Sequence, residues 1–130
     1  ALENFCEFVT ERYEKNIILI KADLKDRYIS LDNTLEMLSD SDNTFKTKKA
    51  FINVFEEEFA RLTDCCVIDI SKRFYADDRF ALGGAHIVHY EDEFYRQCCK
   101  HITAFLGRDD IRYTDKVDEE YIALRDMKIR

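Results

Sequence analysis

The sequence predicts an α/β fold: the C-terminal half of a doubly wound, three-layer domain with a short parallel sheet. Two short, mostly apolar runs, Ile17 to Ile20 and Cys66 to Ile70, read as strands buried on both faces. One long amphipathic segment, 44–63, lies between them. Helical patterns flank the pair on both sides. Strands joined through a helix should be parallel, with a right-handed crossover.

The elements follow in order. Leu2, Phe5, Cys6, Val9 and Tyr13 repeat at helical spacing and predict a helix over 2–15. Ile17 to Ile20 is the first strand. Lys21 to Asp32 is mostly charged and ends it, and 33–39 reads as a short helix. The polar cluster from Ser39 to Asn43 is rich in N-cap residues. It precedes the long helix, whose core-facing stripe is Phe51, Val54, Phe55, Phe59 and Leu62. Cys66 to Ile70 is the second strand, with Asp69 near its carboxyl end. Residues 71–89 are irregular. A third helix covers Tyr90 to Leu106, with acidic residues in its first turn where the dipole favours them, and Gly107 closes it as the residue just past its end. Val117, Tyr121 and Leu124 place a last helix within 115–127. Two parallel strands do not make a stable sheet, so further strands are expected from elsewhere in a larger domain or from a partner chain.

Composition narrows the function classes. The 130 residues suit one domain, 1–130, and the chain is 46% hydrophobic and 36% charged, with ten Phe and seven Tyr, which argues for a packed core. Net charge is −7, against a nucleic-acid backbone as partner. No apolar run is long enough for a membrane span. Residues 1–16 carry four acidic groups, so they are no signal peptide, and a cytoplasmic location is expected. Proline is absent, where average usage would give about 6. The five cysteines include the adjacent pairs Cys65-Cys66 and Cys98-Cys99 and form no C-x-x-C. They read as reduced thiols packed as small hydrophobes, with neither a metal site nor a disulfide. No cofactor is implied.

Chemistry in open α/β sheets gathers beyond the carboxyl ends of the strands. The segment 69–89 falls there and brings together Asp69, Asp77, Asp78, His86, His89 and the pair Gly83-Gly84. A carboxylate that orients an imidazole is half of a hydrolytic triad. The nucleophile is lacking: no G-x-S-x-G occurs, and Ser71 has no flanking glycine. The candidate catalytic residues are His89, Asp77, Asp69 and His86. Each has a plain structural alternative: a helix-start hydrogen bond for His89, partial burial for His86, turn formation for Asp77, and a buried acceptor for Asp69.

The stretch V-I-D-I-S-K-R-F-Y-A-D-D-R-F-A-L-G-G-A-H-I-V-H-Y-E-D-E-F-Y-R, 67–96, resembles the C-terminal part of an SGNH-hydrolase-like domain family (GDSL-type). Members occur in bacterial capsular-polysaccharide and teichoic-acid biosynthesis proteins, some joined to glycosyltransferases. The family pattern has a strand ending in Asp, an A-D-x-x-H block, a W-G turn, and H-Y-x-D-x-Y-Y opening the last helix. Asp69, Ala76-Asp77, Leu82-Gly83 and the run from His89 to Tyr95 take those places. The resemblance covers about the last two-thirds of the chain and implies a flavodoxin-like, doubly wound fold. It implies acyl-ester hydrolysis or transfer on cell-envelope polysaccharide only where an upstream Gly-Asp-Ser block is present, and that block is absent here. Counting from Asp77, Phe80 stands where the pattern has its histidine. Either His86 or His89 substitutes, or this copy is no hydrolase.

The resulting expectation is a fragment of an SGNH-like domain, non-catalytic as an isolated chain, with an acyl-ester hydrolase or transferase completed by an upstream nucleophile block as the alternative and an α/β protein-interaction module as the second. The implied partners are an upstream domain of the same polypeptide or a glycosyltransferase. Self-association into a homo-oligomer through the half-sheet is also expected.

Overall fold

The computed structural model describes residues 1–14, 16–38, 43–108 and 110–130. It is a mixed α/β structure. The elements run α1 (Leu2–Tyr13), β1 (Ile18–Ile20), β2 (Arg27–Ile29), β3 (Leu35–Met37), α2 (Asn43–Thr63), β4 (Cys66–Ile68), a 3-10 turn (Ser71–Arg73), β5 (Ala76–Asp77), α3 (Asp92–Leu106), β6 (Tyr113–Thr114) and α4 (Glu119–Lys128).

One sheet is wholly parallel, in the order β1-β4-β6. Ile18, Leu19 and Ile20 stand beside Cys66, Val67 and Ile68, so the expected parallel pair is present with α2 between its strands. The third strand, β6, is only two residues long and lacks an apolar run, so periodicity missed it. Its backbone is nonetheless tied to β4: Val67 N–H donates to Arg112 O and Asp69 N–H to Thr114 O.

A second sheet, in the order β3-β2-β5, was not foreseen. Residues 33–39 were expected to be helical, but 35–37 is a strand antiparallel to β2. The intervening turn explains the outcome. Ser30 Oγ accepts the backbone N–H groups of Asp32 and Thr34, Ser30 N–H donates to Thr34 O, and Asn33 sits at φ 61°. Polar turn residues flanked by Tyr28-Ile29 and Leu35 are a hairpin signal that outweighs a weak helical pattern. Of the N-cap cluster expected at 39–43, residues 39–42 lie outside the described residues and Asn43 is the first residue of α2.

The core gathers where β4 meets α3 and α4. Ile68, Ile70, Phe74, Tyr90, Phe94, Cys98, Phe105 and Ile122 are buried together, and Ile18, Cys66 and Ile102 pack against them. Phe74 meets Phe94 edge to face at 5.6 Å between ring centres. Burial pushes the Cys98 thiol up to about 11, as suits a packed, unreactive cysteine. Gly107 ends α3 at φ −96°, a conformation open to any residue, so its glycine character is not required there.

The stripe assigned to α2 is wrong in part. Phe51 and Val54 are 69% and 67% exposed and Phe55 is 41% exposed. The buried positions are instead Phe45, Glu56 and Thr63, with Ile52 half-buried between them. These also repeat at helical spacing. Two apolar faces on one helix cannot be ranked by periodicity alone, because the period is common to both. On α1, only Cys6 of the expected stripe is fully buried, while Phe5 and Tyr13 are about half exposed.

Candidate functional site

The loop after β4 is a locked structure rather than an open one. Asp69 leaves the strand end and accepts a hydrogen bond from Tyr113 Oη at 2.9 Å, with Lys21 Nζ 3.9 Å away. That hydrogen bond pushes the Tyr113 phenol up to about 12. Asp77, on β5, is buried. Its Oδ1 accepts from the backbone N–H and Nε of Arg79, both at 2.9 Å, and its Oδ2 from Nη2 at 2.6 Å. One arginine two residues away thus fills both oxygens, as turn chemistry and a bidentate pair would have it.

The histidines are held by other partners. His89 Nδ1 lies 2.9 Å from Gly84 O, and the ring stacks on Phe80 at 4.2 Å. Phe80 therefore stands not only in the place of the expected histidine but flat against the histidine that would have to replace it. His86 is exposed, with its ring 5.0 Å from that of His89. The backbone brings Asp77 and His89 together, since Asp77 N–H donates to His89 O. Among the described residues no hydrogen bond joins an imidazole to Asp69 or Asp77. The glycine pair makes the fold of this loop possible: Gly83 and Gly84 stand at φ 100° and 68°. A Cβ on Gly84 would lie 3.2 Å from Asp78 Oδ1.

The buried polar groups that sequence reasoning missed lie on either side of this loop. At the carboxyl end of β1, Asp23 accepts from Lys25 at 2.8 Å and from Lys49 of α2 at 3.1 Å. Burial acts to raise the Asp23 carboxyl, but the two lysines outweigh it and hold it below the usual range. Lys25 is itself buried, which pulls its ammonium down despite Asp23. Tyr90 Oη donates to Asp23 O at 3.0 Å, and Lys25 N–H donates to Ile87 O, fastening the loop to the end of the sheet. Glu56, 5% exposed, takes the Ala22 N–H on Oε2 at 2.7 Å, while its Oε1 has no partner among the described residues. Burial raises the Glu56 carboxyl, and the Ala22 hydrogen bond offsets only part of that rise.

The second group centres on Glu91, 1% exposed. Oε1 accepts from Tyr121 Oη at 2.6 Å, and Oε2 accepts from Tyr75 N–H and from Arg125 Nη1, each at 2.8 Å. Arg125 also donates to Arg73 O and lies over the Tyr75 ring at 4.7 Å. Beside it a surface cleft of about 230 Å³ is lined by Asp77, Arg79, Glu93, Arg96 and Tyr121. Four of its charges are paired, Arg79 with Asp77 and Arg96 with Glu93. Glu91 sits in the sequence inside the H-Y-E-D-E-F-Y run. An acid just ahead of a helix reads as a dipole partner, and nothing local announces an arginine 34 residues later.

Among the described residues, no three His, Cys, Asp or Glu side chains converge as a metal site, and no helix is long and apolar enough to cross a membrane. Comparison with protein-family models, curated proteins and solved structures finds no match to this chain.

Proposed function

We propose that this chain is a non-catalytic half of an SGNH-like α/β domain, acting in the cytoplasm beside the machinery of cell-envelope polysaccharide synthesis. It works by presenting a sheet that neighbouring strands complete. Those strands belong to an upstream domain of the same polypeptide or to a glycosyltransferase. The observation that carries the reading is the edge of β1. This strand pairs only with β4 among the described residues. Ile17 O and Lys21 N–H point toward β4, and alternation along a parallel strand leaves the N–H and C=O of Ile18 and Ile20 on the free side. A short apolar strand with an unpaired edge is a template for another strand.

The hydrogen bonding of the loop supports the non-catalytic part. A general base needs a ring nitrogen oriented by a carboxylate and another facing substrate. His89 spends Nδ1 on a backbone carbonyl, and Arg79 occupies Asp77. The test is hydrolysis of p-nitrophenyl acetate and of O-acetylated polysaccharide by wild type, His89→Ala and Asp77→Asn. The expected result is one common rate equal to background. A wild-type rate that disappears in both variants would overturn the proposal.

A further inference from the structure

The exposed face of α2 is an aromatic ladder that the monomer leaves uncovered. Phe51, Phe55 and Phe59 follow one another with ring centres 6.4 and 6.5 Å apart, and Phe5 of α1 extends the row at 6.2 Å from Phe59. Phe8, 57% exposed, and Val54, 67% exposed, follow Phe5 and Phe51 by three residues on their helices. A contiguous apolar patch of this kind marks an interaction surface.

The charges along α2 say what covers it. The first half carries Lys46, Lys48 and Lys49, with no acid in the first turn; the second half carries Glu56, Glu57 and Glu58. The first turn thus lacks the acid that the helix dipole favours, while Arg61 in the last turn is the base it favours. The dipole acts within the terminal turns and so does not set the order of lysines before glutamates between them. An antiparallel copy of the same helix does. With the two-fold axis near Asn53, residues whose numbers are equally spaced about that position face one another. Phe51 meets the second copy's Phe55, and Lys48 meets the second copy's Glu58. On a helical projection Lys48, Phe51, Val54, Phe55 and Glu58 fall on one face. Both helix dipoles then run in opposite directions, and each interface is its own complement, as a two-fold dimer requires.

We propose that this protein forms a two-fold dimer by antiparallel packing of α2 on α2, with an aromatic centre between two Lys48–Glu58 pairs. The dimer uses a different surface from the β1 edge and leaves that edge free. Glu58 is also bonded by Arg61 of its own helix, and this bond keeps the carboxylate on the outer face to receive the second lysine.

Sedimentation equilibrium on the full chain tests the arrangement, with Lys48→Glu, Glu58→Lys and the double charge exchange. Each of these residues is on the helix surface, and circular dichroism checks that the fold is kept. Wild type is expected to be a dimer. Each single variant is expected to weaken it at least tenfold, since like charges then face each other twice, and the double variant is expected to recover most of the loss. A monomeric wild type would overturn the proposal. So would a dimer indifferent to both single changes, or a double variant no better than the singles. Phe51→Ser provides a second route: a dimer that survives it unchanged is held by another surface.

Discussion

Glu91 and Glu56 are the same residue type, both almost sealed from water, and the protein treats them in opposite ways. Both oxygens of Glu91 are taken, by a tyrosine hydroxyl, a backbone amide and a guanidinium. Glu56 receives one amide and keeps an unpartnered oxygen. Arg125 is also nearly buried, so the Glu91 network ties α4 to the start of α3 with every charge matched. Among the described residues, Glu56 caps the end of β1 with a hydrogen bond and makes no ion pair. A satisfied buried carboxylate fastens elements together, and a half-satisfied one is a group whose charged form the fold tolerates poorly.

The sharpest way to break this contrast is to remove the Glu91 side chain. Glu91→Ala leaves the buried Arg125 guanidinium with only the exposed Asp126 as counter-ion, and the expected loss is about 3–5 kcal/mol in urea unfolding. A loss equal to that of an ordinary surface substitution would mean that the network is ornamental. Next in size is Gly84→Ala. At φ 68° an added Cβ is strained, and its neighbour would be Asp78, so about 1–2 kcal/mol is expected. The readout is the same unfolding curve, together with the His89 imidazole resonances, which should shift because Gly84 O is the histidine's partner.

The smallest effect concerns Glu56 and is read in pH. Its folded carboxyl is raised above the unfolded value, so the neutral form is the one the fold prefers. The stability this brings is complete below the ordinary glutamate range, near about 4.3, and is lost as pH rises through the raised folded value. Glu56→Gln, which is always neutral, should therefore be more stable than wild type at pH 7, with the difference shrinking toward pH 4. Asp23 has the opposite sign. Its carboxyl is lowered by Lys25 and Lys49, so its contribution is present at neutral pH and fades as acid protonates it. An Asp23→Asn protein that loses stability at pH 7 but not in acid would sharpen the comparison.

The contrast also shows how far residues announce their partners. The strands 18–20 and 66–68 and the helices around them were legible, because burial on both faces and helical periodicity leave marks within ten or twenty residues. The hairpin 27–37 carries its signal in its turn chemistry, which the expected helix over 33–39 leaves out of account. Strand β6 has two residues and no pattern to find. In the loop, Asp77, Asp69, His86 and His89 were picked out by residue type, yet their partners Arg79, Tyr113 and Gly84 are what decide their chemistry. Arg79 and Gly84 lie within the same loop as the residues they hold, whereas Tyr113 comes from 44 residues beyond Asp69. Glu91–Arg125 and Glu56–Ala22 each span 34 residues, and such pairs are set by how the elements dock. On α2 the error has a different source: a face rich in phenylalanine is taken for core, when Phe51 and Phe55 face outward.

The proposal that this chain presents a sheet for completion rests most directly on the free edge of β1. Hydrogen exchange resolved by residue tests it. The N–H groups of Leu19 and Lys21 face β4, with Lys21 N–H bonded to Ile68 O, and should exchange slowly. Those of Ile18 and Ile20 face away and should exchange rapidly, and they should become protected when the strands that complete the sheet are supplied. Four equally protected amides in the protein alone would mean that the edge is already covered, and would contradict the account.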